Sequence, residues 1–313
     1  MTAYIVRRLF TTLVIAIGIS IIAFLIIRLI PGDPARIMLG VQADEQRIKA
    51  LRHKLGLDEP MVIQYGKWVS KAVRGNLGES IITGKSVSGS IAQRIPVTYS
   101  LAFMALFIAL LIAIPAGIIA AVKRNSFISS VVTFFSQVGV GIPNFWLGIM
   151  LVLVFAQWFR LLPVSGYEPL GKGIIPWFNH LILPAVSVGL ISGAVITRFV
   201  RSSMLEVMDE DYIRVARAKG LKEQIVIFRH ALKNSLIPIL TVVGLQLAYL
   251  LSGTLVIEVV FALPGLGRLA FNAVTHRDYP VLQGAVLTVA ISFTMINLIV
   301  DILYSYVDPR IRY

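Results

Sequence analysis

Residues 95–122 read IPVTYSLAFMALFIALLIAIPAGIIAAV, 28 residues without one charged side chain. About 20 apolar residues carry an α-helix across the hydrocarbon of a bilayer. Lipid offers the backbone no hydrogen-bond partner, so a helix is the form such a stretch must take. Working outward, five further stretches have the same character: 10–27, a run within 125–159, 181–197, 234–257 and 279–300. The chain is expected to be an all-α integral membrane protein with six transmembrane helices. The third stretch is the awkward one, because 35 uncharged residues are too many for one upright helix and too few for two plus a turn. With Gly139, Gly141 and Pro143 interrupting it, it is read as a short interfacial piece followed by one span, about 138–159.

Composition agrees. Hydrophobic residues make up 57% of the chain and charged residues 14%, and a soluble domain needs more polar surface than that. Cysteine is absent, which removes disulfides, Cys-ligated zinc and redox dithiols. His53, His180, His230 and His276 show no metal-ligand spacing. A net charge of +13 would point to nucleic acid in a soluble protein, but membrane proteins collect Lys and Arg on the cytoplasmic side. The 18-residue run 10–27 exceeds the about 7–15 residues of a signal-peptide core and has no A-x-A site after it.

Basic residues set the orientation. Arg7, Arg8, Lys123, Arg124, Arg310, Arg312 and the eight basic residues within 198–233 stand against Arg160, Lys172, Arg268 and Arg277, or 14 against 4. Both termini are therefore expected in the cytoplasm. Segment 31–94 falls outside and opens with Pro31-Gly32-Asp33-Pro34, which ends the first helix. Leu51, Leu55 and residues 61–68 suggest short amphipathic helices there, with a packed cap as the default reading ahead of substrate gating or receptor docking. Small residues recur every four positions in four spans: Ala105, Ala109, Ala113, Gly117 and Ala121; Ala185, Gly189, Gly193 and Thr197; Gly244, Ala248 and Ser252; Gly284, Thr288 and Ser292. Such stripes let helix backbones approach closely in lipid. Pro115 is expected to kink the second span.

The cytoplasmic stretch 198–233 is too long for a plain connection. Leu205, Met208, Tyr212 and Val215 fall on one helical face, and Leu221, Ile225, Phe228 and Leu232 on a second. Gly220 sits between them as a C-cap, preceded by Arg217 and Lys219. Glu210 and Arg214 have the favourable i,i+4 order, and Pro238 marks the start of the fifth span. This encodes a helix–glycine–helix hairpin whose apolar faces need cover.

At Asp211-Tyr212-Ile213-Arg214-Val215-Ala216-Arg217-Ala218-Lys219-Gly220-Leu221 the chain closely resembles the dipeptide/oligopeptide group of ABC transporter permeases. Pro31-Gly32-Asp33-Pro34, the stretch 261–268 with Leu263-Pro264-Gly265-Leu266-Gly267, Arg277-Asp278-Tyr279-Pro280 and the ending Asp308-Pro309-Arg310-Ile311-Arg312 agree in order along the chain. The resemblance implies a type-I ABC importer permease fold. Its parts would be an N-terminal transmembrane helix (1–30), an extracytoplasmic segment (31–94), a permease domain (95–305, with spans about 95–122, 138–159, 181–197, 235–257 and 279–300) and a cytoplasmic tail (306–313). It implies a coupling helix that docks into a cytoplasmic ATPase, here Asp211, Tyr212, Arg214, Ala216, Arg217, Lys219, Gly220 and Leu221. The general permease motif begins Glu-Ala-Ala, where Arg214, Val215 and Ala216 stand here. Its proline would fall on Lys233, whereas this chain has Pro238. The oligopeptide group shares this variant.

The implied function is translocation of dipeptides or oligopeptides across a bacterial or archaeal cytoplasmic membrane, with glutathione or a nickel chelate as other cargoes of the same architecture. Implied partners are a second homologous permease, two ABC ATPases that bind ATP and magnesium, and an extracytoplasmic substrate-binding protein. No cofactor is expected in this chain. Residues 166–172 fit the start of a phosphate-binding loop, but Gly173 replaces its Ser/Thr; Gly84-Lys85-Ser86 lacks the first glycine. With no nucleophile–base set either, the chain is expected to be a non-catalytic subunit. Asp301 and Glu258 fall at span ends, where charge is tolerated. Gln246 and Asn297, polar residues inside spans five and six, are candidates to line the pathway. A stand-alone secondary transporter or channel is the rival class, and it predicts intramembrane charges or inverted repeats.

Overall fold

The computed structural model describes residues 2–29, 44–55 and 57–307. The Pro31–Pro34 and 308–312 motifs lie outside the described residues. Helix α1 (Thr2–Leu29) leads to α2 (Glu45–Leu55) and α3 (Met61–Val73), then to a turn closed by a Glu79–Ser86 bridge and to α4 (Val87–Ala92). The body of the protein consists of α5 (Ile95–Val122), α6 (Phe127–Gly141), α7 (Asn144–Leu151), α8 (Ile174–Met208), α9 (Asp211–Ala218), α10 (Leu232–Gly253), α11 (Leu255–Val260), α12 (Leu266–Thr275) and α13 (Tyr279–Val307). Among the described residues five helices are long and apolar enough to cross a membrane, and a bent pair supplies a sixth crossing if counted as one span.

That pair corrects the reading of 125–159. Phe127–Gly141 and Asn144–Trp158 are two helices meeting at 102°, with Pro143 in an extended conformation between them. Each has 15 residues, about 22 Å at 1.5 Å per residue, so neither reaches across about 30 Å of hydrocarbon alone. The turn needs only Ile142 and Pro143, which is why two helices fit where the count seemed too small.

Helix α8 is also longer than expected. Its 35 residues span about 52 Å, so the 181–197 span continues without interruption through Arg198 and Arg201 into the 198–233 stretch. The fifth span likewise starts early. A 31-residue helix runs Glu223–Gly253 through a π-helical turn at Val226–Ala231, and Pro238 lies inside it rather than at its start.

The small-residue stripes of α5 and α8 face each other. A methyl added at Gly189 would stand 2.7 Å from the Ala105 carbonyl oxygen, and one at Gly193 3.3 Å from that of Ala109. One at Gly117 would meet Val200 at 2.6 Å. The two backbones are as close as glycine permits, which is the packing that lipid-embedded helices use in place of a hydrophobic drive. Gly244 does the same against Val300, joining α10 to α13. The other two stripes behave differently. Ser252 is exposed, and Gly284 receives Val87 and Ile91 of the short external helix α4 rather than a neighbouring span.

A second, outer core follows from that contact: Val87 and Ile91 pack with Leu266, Leu269 and Ala273 of α12 and with Val281 and Ala285 of α13. Residues 77–94 are thus a packed cap. Helix α3, before them, buries none of its residues.

Candidate functional site

The 198–233 stretch folds as a break, a short helix, a glycine turn and a re-entry. Helix α8 ends at Asp209, and Glu210 is extended (φ −69°, ψ 147°) before α9 begins. One extended residue resets the helical phase, so Leu205 and Met208 stay against the core while Tyr212 and Val215 turn outward. The buried residues of α9 are Ile213 and Ala216 instead. Ala216, expected to couple, faces inward. Arg214 pairs with Asp211 at 3.2 Å, not with Glu210, and also donates to the Asp209 carbonyl.

Gly220 ends α9 in the left-handed region (φ 76°). Its N–H donates to Arg217 O at 2.9 Å and Leu221 N–H to Ala216 O at 3.4 Å, the paired bonds of a Schellman cap. Across this turn Arg217 grips Glu223 with two bonds, Nη2 to Oε1 at 2.8 Å and Nε to Oε2 at 3.2 Å. Those bonds raise the Arg217 pKa and fix the angle at which the chain re-enters. On the α8 side Arg124, from the α5–α6 turn, holds Asp209 at 3.0 Å. Asn234 donates to the Tyr212 hydroxyl at 2.7 Å.

The second expected face keeps Leu221, Ile225 and Phe228 together and exposed, while Val226 and Ala231 point inward. A π turn bonds i to i+5 and so rotates the residues after it, and Leu232, which follows the turn, packs against the core instead. Tyr212, Val215, Leu221, Ile225 and Phe228 are therefore all uncovered, among the cations Arg214, Lys219 and Lys222. Val215, Ile225 and Phe228 were not among the expected coupling residues. Their signal was present in the sequence as apolar residues at helical spacing in a polar loop.

The opposite end of the bundle explains the Leu263-Pro264-Gly265-Leu266-Gly267 motif. Glu258 is fully buried, not tolerated at a wet span end. Thr98 Oγ1 donates to it at 2.6 Å and Thr254 Oγ1 at 3.4 Å. The Arg268 N–H donates at 3.0 Å and the Gly267 N–H also bonds to it. Thr98 in turn accepts from Leu266 N–H at 2.9 Å. Gly265 stands at the N-cap of α12 without a capping side chain, so Glu258 and Thr98 satisfy the first three N–H groups of that helix. A methyl at Gly265 would occupy the Glu258 carboxyl itself. Its backbone is extended (φ −96°, ψ −177°), so space rather than conformation requires glycine there. In the neighbouring motif, Asp278 accepts from Ser80 Oγ at 2.5 Å and Ile81 N–H at 3.2 Å, tying the cap to the head of α13. Asp301 pairs with Arg8 of α1 at 2.9 Å.

Gln246 and Asn297 are both half-buried, on α10 and α13, and share no hydrogen bond. The open face of α10 carries Leu245, Tyr249 and Ser252. In 166–173, Lys172 pairs with Glu168 at 2.9 Å, so its charge is already matched by a carboxylate.

Comparison with known proteins places the whole chain. The family described as binding-protein-dependent transport system inner membrane component matches residues 113–313, and its N-terminal counterpart matches residues 1–102. A dipeptide transport system permease protein of Alkalihalophilus pseudofirmus is 44% identical, over 100% of both chains. A probable peptide ABC transporter permease of Sinorhizobium fredii is 42% identical, again over all of both. A glutathione transport system permease protein of Escherichia coli is 40% identical over the same extent. In fold, an inward-facing structure of the MetNI methionine ABC transporter superposes with a TM-score of 0.58 at 16% identity, covering 70% of this chain and 96% of that one. The chain belongs to the inner-membrane permease components of binding-protein-dependent ABC importers, as a multi-pass membrane subunit.

Proposed function

We propose that this chain is one half of the pore of a peptide importer, driven by ATPase subunits that dock on the uncovered face of the 211–228 loop. The observation that carries this is the set Tyr212, Val215, Leu221, Ile225 and Phe228, apolar and exposed on a loop that is otherwise rigidly held. A patch of this kind on a polar loop marks a protein contact. Asp211, Arg214, Arg217, Lys219 and Gly220 frame it: the charged residues form the rim and the glycine sets the turn. ATP and magnesium belong to the partners in this reading, with a second permease beside this chain and a substrate-binding protein on the far side. Both termini then lie in the cytoplasm, as the basic residues indicate.

Peptides are favoured as cargo by the names of the 42–44% identical relatives. Glutathione is the second reading, supported by the 40% identical permease that carries that name. Gln246, Tyr249 and Asn297 are proposed to line the route, Tyr249 because it lies on the open face of α10. Closure of the ATPases would shift the docked loop, and the Arg124–Asp209 contact would pass that shift to α5 and α6.

A cysteine placed at Arg214 or Lys219 should cross-link to a co-purified ATPase subunit, and absence of contact from both positions overturns the docking. Peptide-stimulated ATP hydrolysis in the reconstituted complex tests the cargo, with glutathione as the competing solute.

A further inference from the structure

We infer that α3 is a membrane-surface helix, lying in the outer leaflet with one flank bedded in lipid. Helix α3 reads MVIQYGKWVSKAV and carries no buried residue. At 100° per residue, Trp68, Met61, Ala72, Tyr65, Val69, Val62 and Val73 fall within one continuous arc of roughly 140°, and Ser70, Lys67, Lys71 and Gln64 fall opposite, with Ile63 the one large apolar residue among them. One half of the apolar arc is spoken for. The Tyr65 and Trp68 rings lie 5.3 and 5.9 Å from the Phe24 ring of α1, and the Tyr65 hydroxyl meets Ser20 Oγ at 2.8 Å. The other half, at Val62 and Val73, is 81% and 83% exposed.

The level of that contact decides what covers the open half. The apolar run of α1 ends at Ile27, just before Arg28, so Ser20 lies seven residues, or about 10 Å, inside its outer limit. An amphipathic helix at a membrane surface buries its apolar face about 5–10 Å into the headgroup–acyl boundary, and α3 is pinned at the deep end of that range. Val62 and Val73 continue the lipid-facing surface of α1, where Leu13, Ile17 and Ile21 are exposed. Tyr65 and Trp68 are the residue types enriched at this boundary. On the far arc Lys71 is exposed on the water side, and Lys67 pairs there with Glu59. Lipid is therefore the occupant, and the inference needs only that α1 spans the bilayer.

The chain has no cysteine, so single labels are clean. Val62→Cys, Val73→Cys, Ser70→Cys and Lys71→Cys variants of the full chain, carrying a nitroxide, are placed in vesicles of phosphatidylethanolamine and phosphatidylglycerol. Collision with oxygen is compared with collision with a water-soluble nickel chelate. Oxygen should dominate at positions 62 and 73 and the chelate at 70 and 71. Chelate access at 62 and 73 equal to that at 70 and 71 overturns the proposal and marks the flank as a water-facing dock for a soluble protein. Exclusion of both quenchers there also overturns it, by showing protein cover from a second membrane subunit.

Discussion

The two ends of this bundle carry the two best-marked motifs in the chain and use them in opposite ways. At the outer end, the 263–267 motif closes on itself: Glu258, Thr98, Gly265 and α12 satisfy one another in a site with no access to water. At the inner end, the 211–221 motif is braced by surface ion pairs and leaves its large apolar side chains uncovered. Equal distinctiveness in sequence therefore reflects different physics. One motif is fixed by the cost of a buried carboxylate without partners, the other by a surface that has no partner within its own chain.

The sharpest way to break this contrast is at Gly265. Gly265→Val drives a side chain into the Glu258 carboxyl, combining overpacking of about 1–3 kcal/mol with loss of hydrogen-bond partners for a buried polar group, about 1–3 kcal/mol. The variant should fail to accumulate, or should melt far below the parent in detergent; an unchanged melting temperature would mean that the clasp contributes nothing. Thr98→Val keeps the shape but removes one donor to Glu258 and the acceptor for Leu266 N–H. A loss of about 1–3 kcal/mol is expected in thermal or denaturant unfolding.

At the inner end the same readout should barely move. Phe228→Ser and Val215→Ser should change stability by no more than about 0.5 kcal/mol, while binding of the ATPase subunit in pull-down titrations weakens about tenfold, or about 1.4 kcal/mol. Loss of stability without loss of binding would reverse the assignment of the two ends. The smallest effect is expected from Arg217→Gln, which removes a half-exposed ion pair worth about 0.2–1 kcal/mol. It should nevertheless raise the number of ATP molecules hydrolysed per solute moved, because the re-entry angle is no longer held. Transport and hydrolysis measured together would expose a coupling unaffected by the change.

Several features were legible before any coordinates. The second span, the Gly220 cap and the small-residue spacing within α5 and within α8 all depend on residues within a few turns of one another, and the structure has each of them. The bend at Pro143 was half legible: the breakers were visible, but not that a two-residue turn would suffice. The first coupling face was misassigned because one extended residue at Glu210 rotates the helical residues beyond it, and the second lost Leu232, which follows the π turn at Val226–Ala231. Neither leaves a mark in a hydrophobic pattern.

Sequence alone determined that this chain crosses a membrane several times, which end of each span is basic, and which family motifs it carries. Those are local properties, set by apolar length, charge and backbone preference. Only the tertiary structure decided that Glu258 is buried and partnered, since its key donor lies 160 residues away in the chain. It also decided that Ala216 faces inward while Phe228 faces out, and that half of α3 is left uncovered beside α1. Burial is a relation between distant segments, and no single stretch of sequence contains both sides of it.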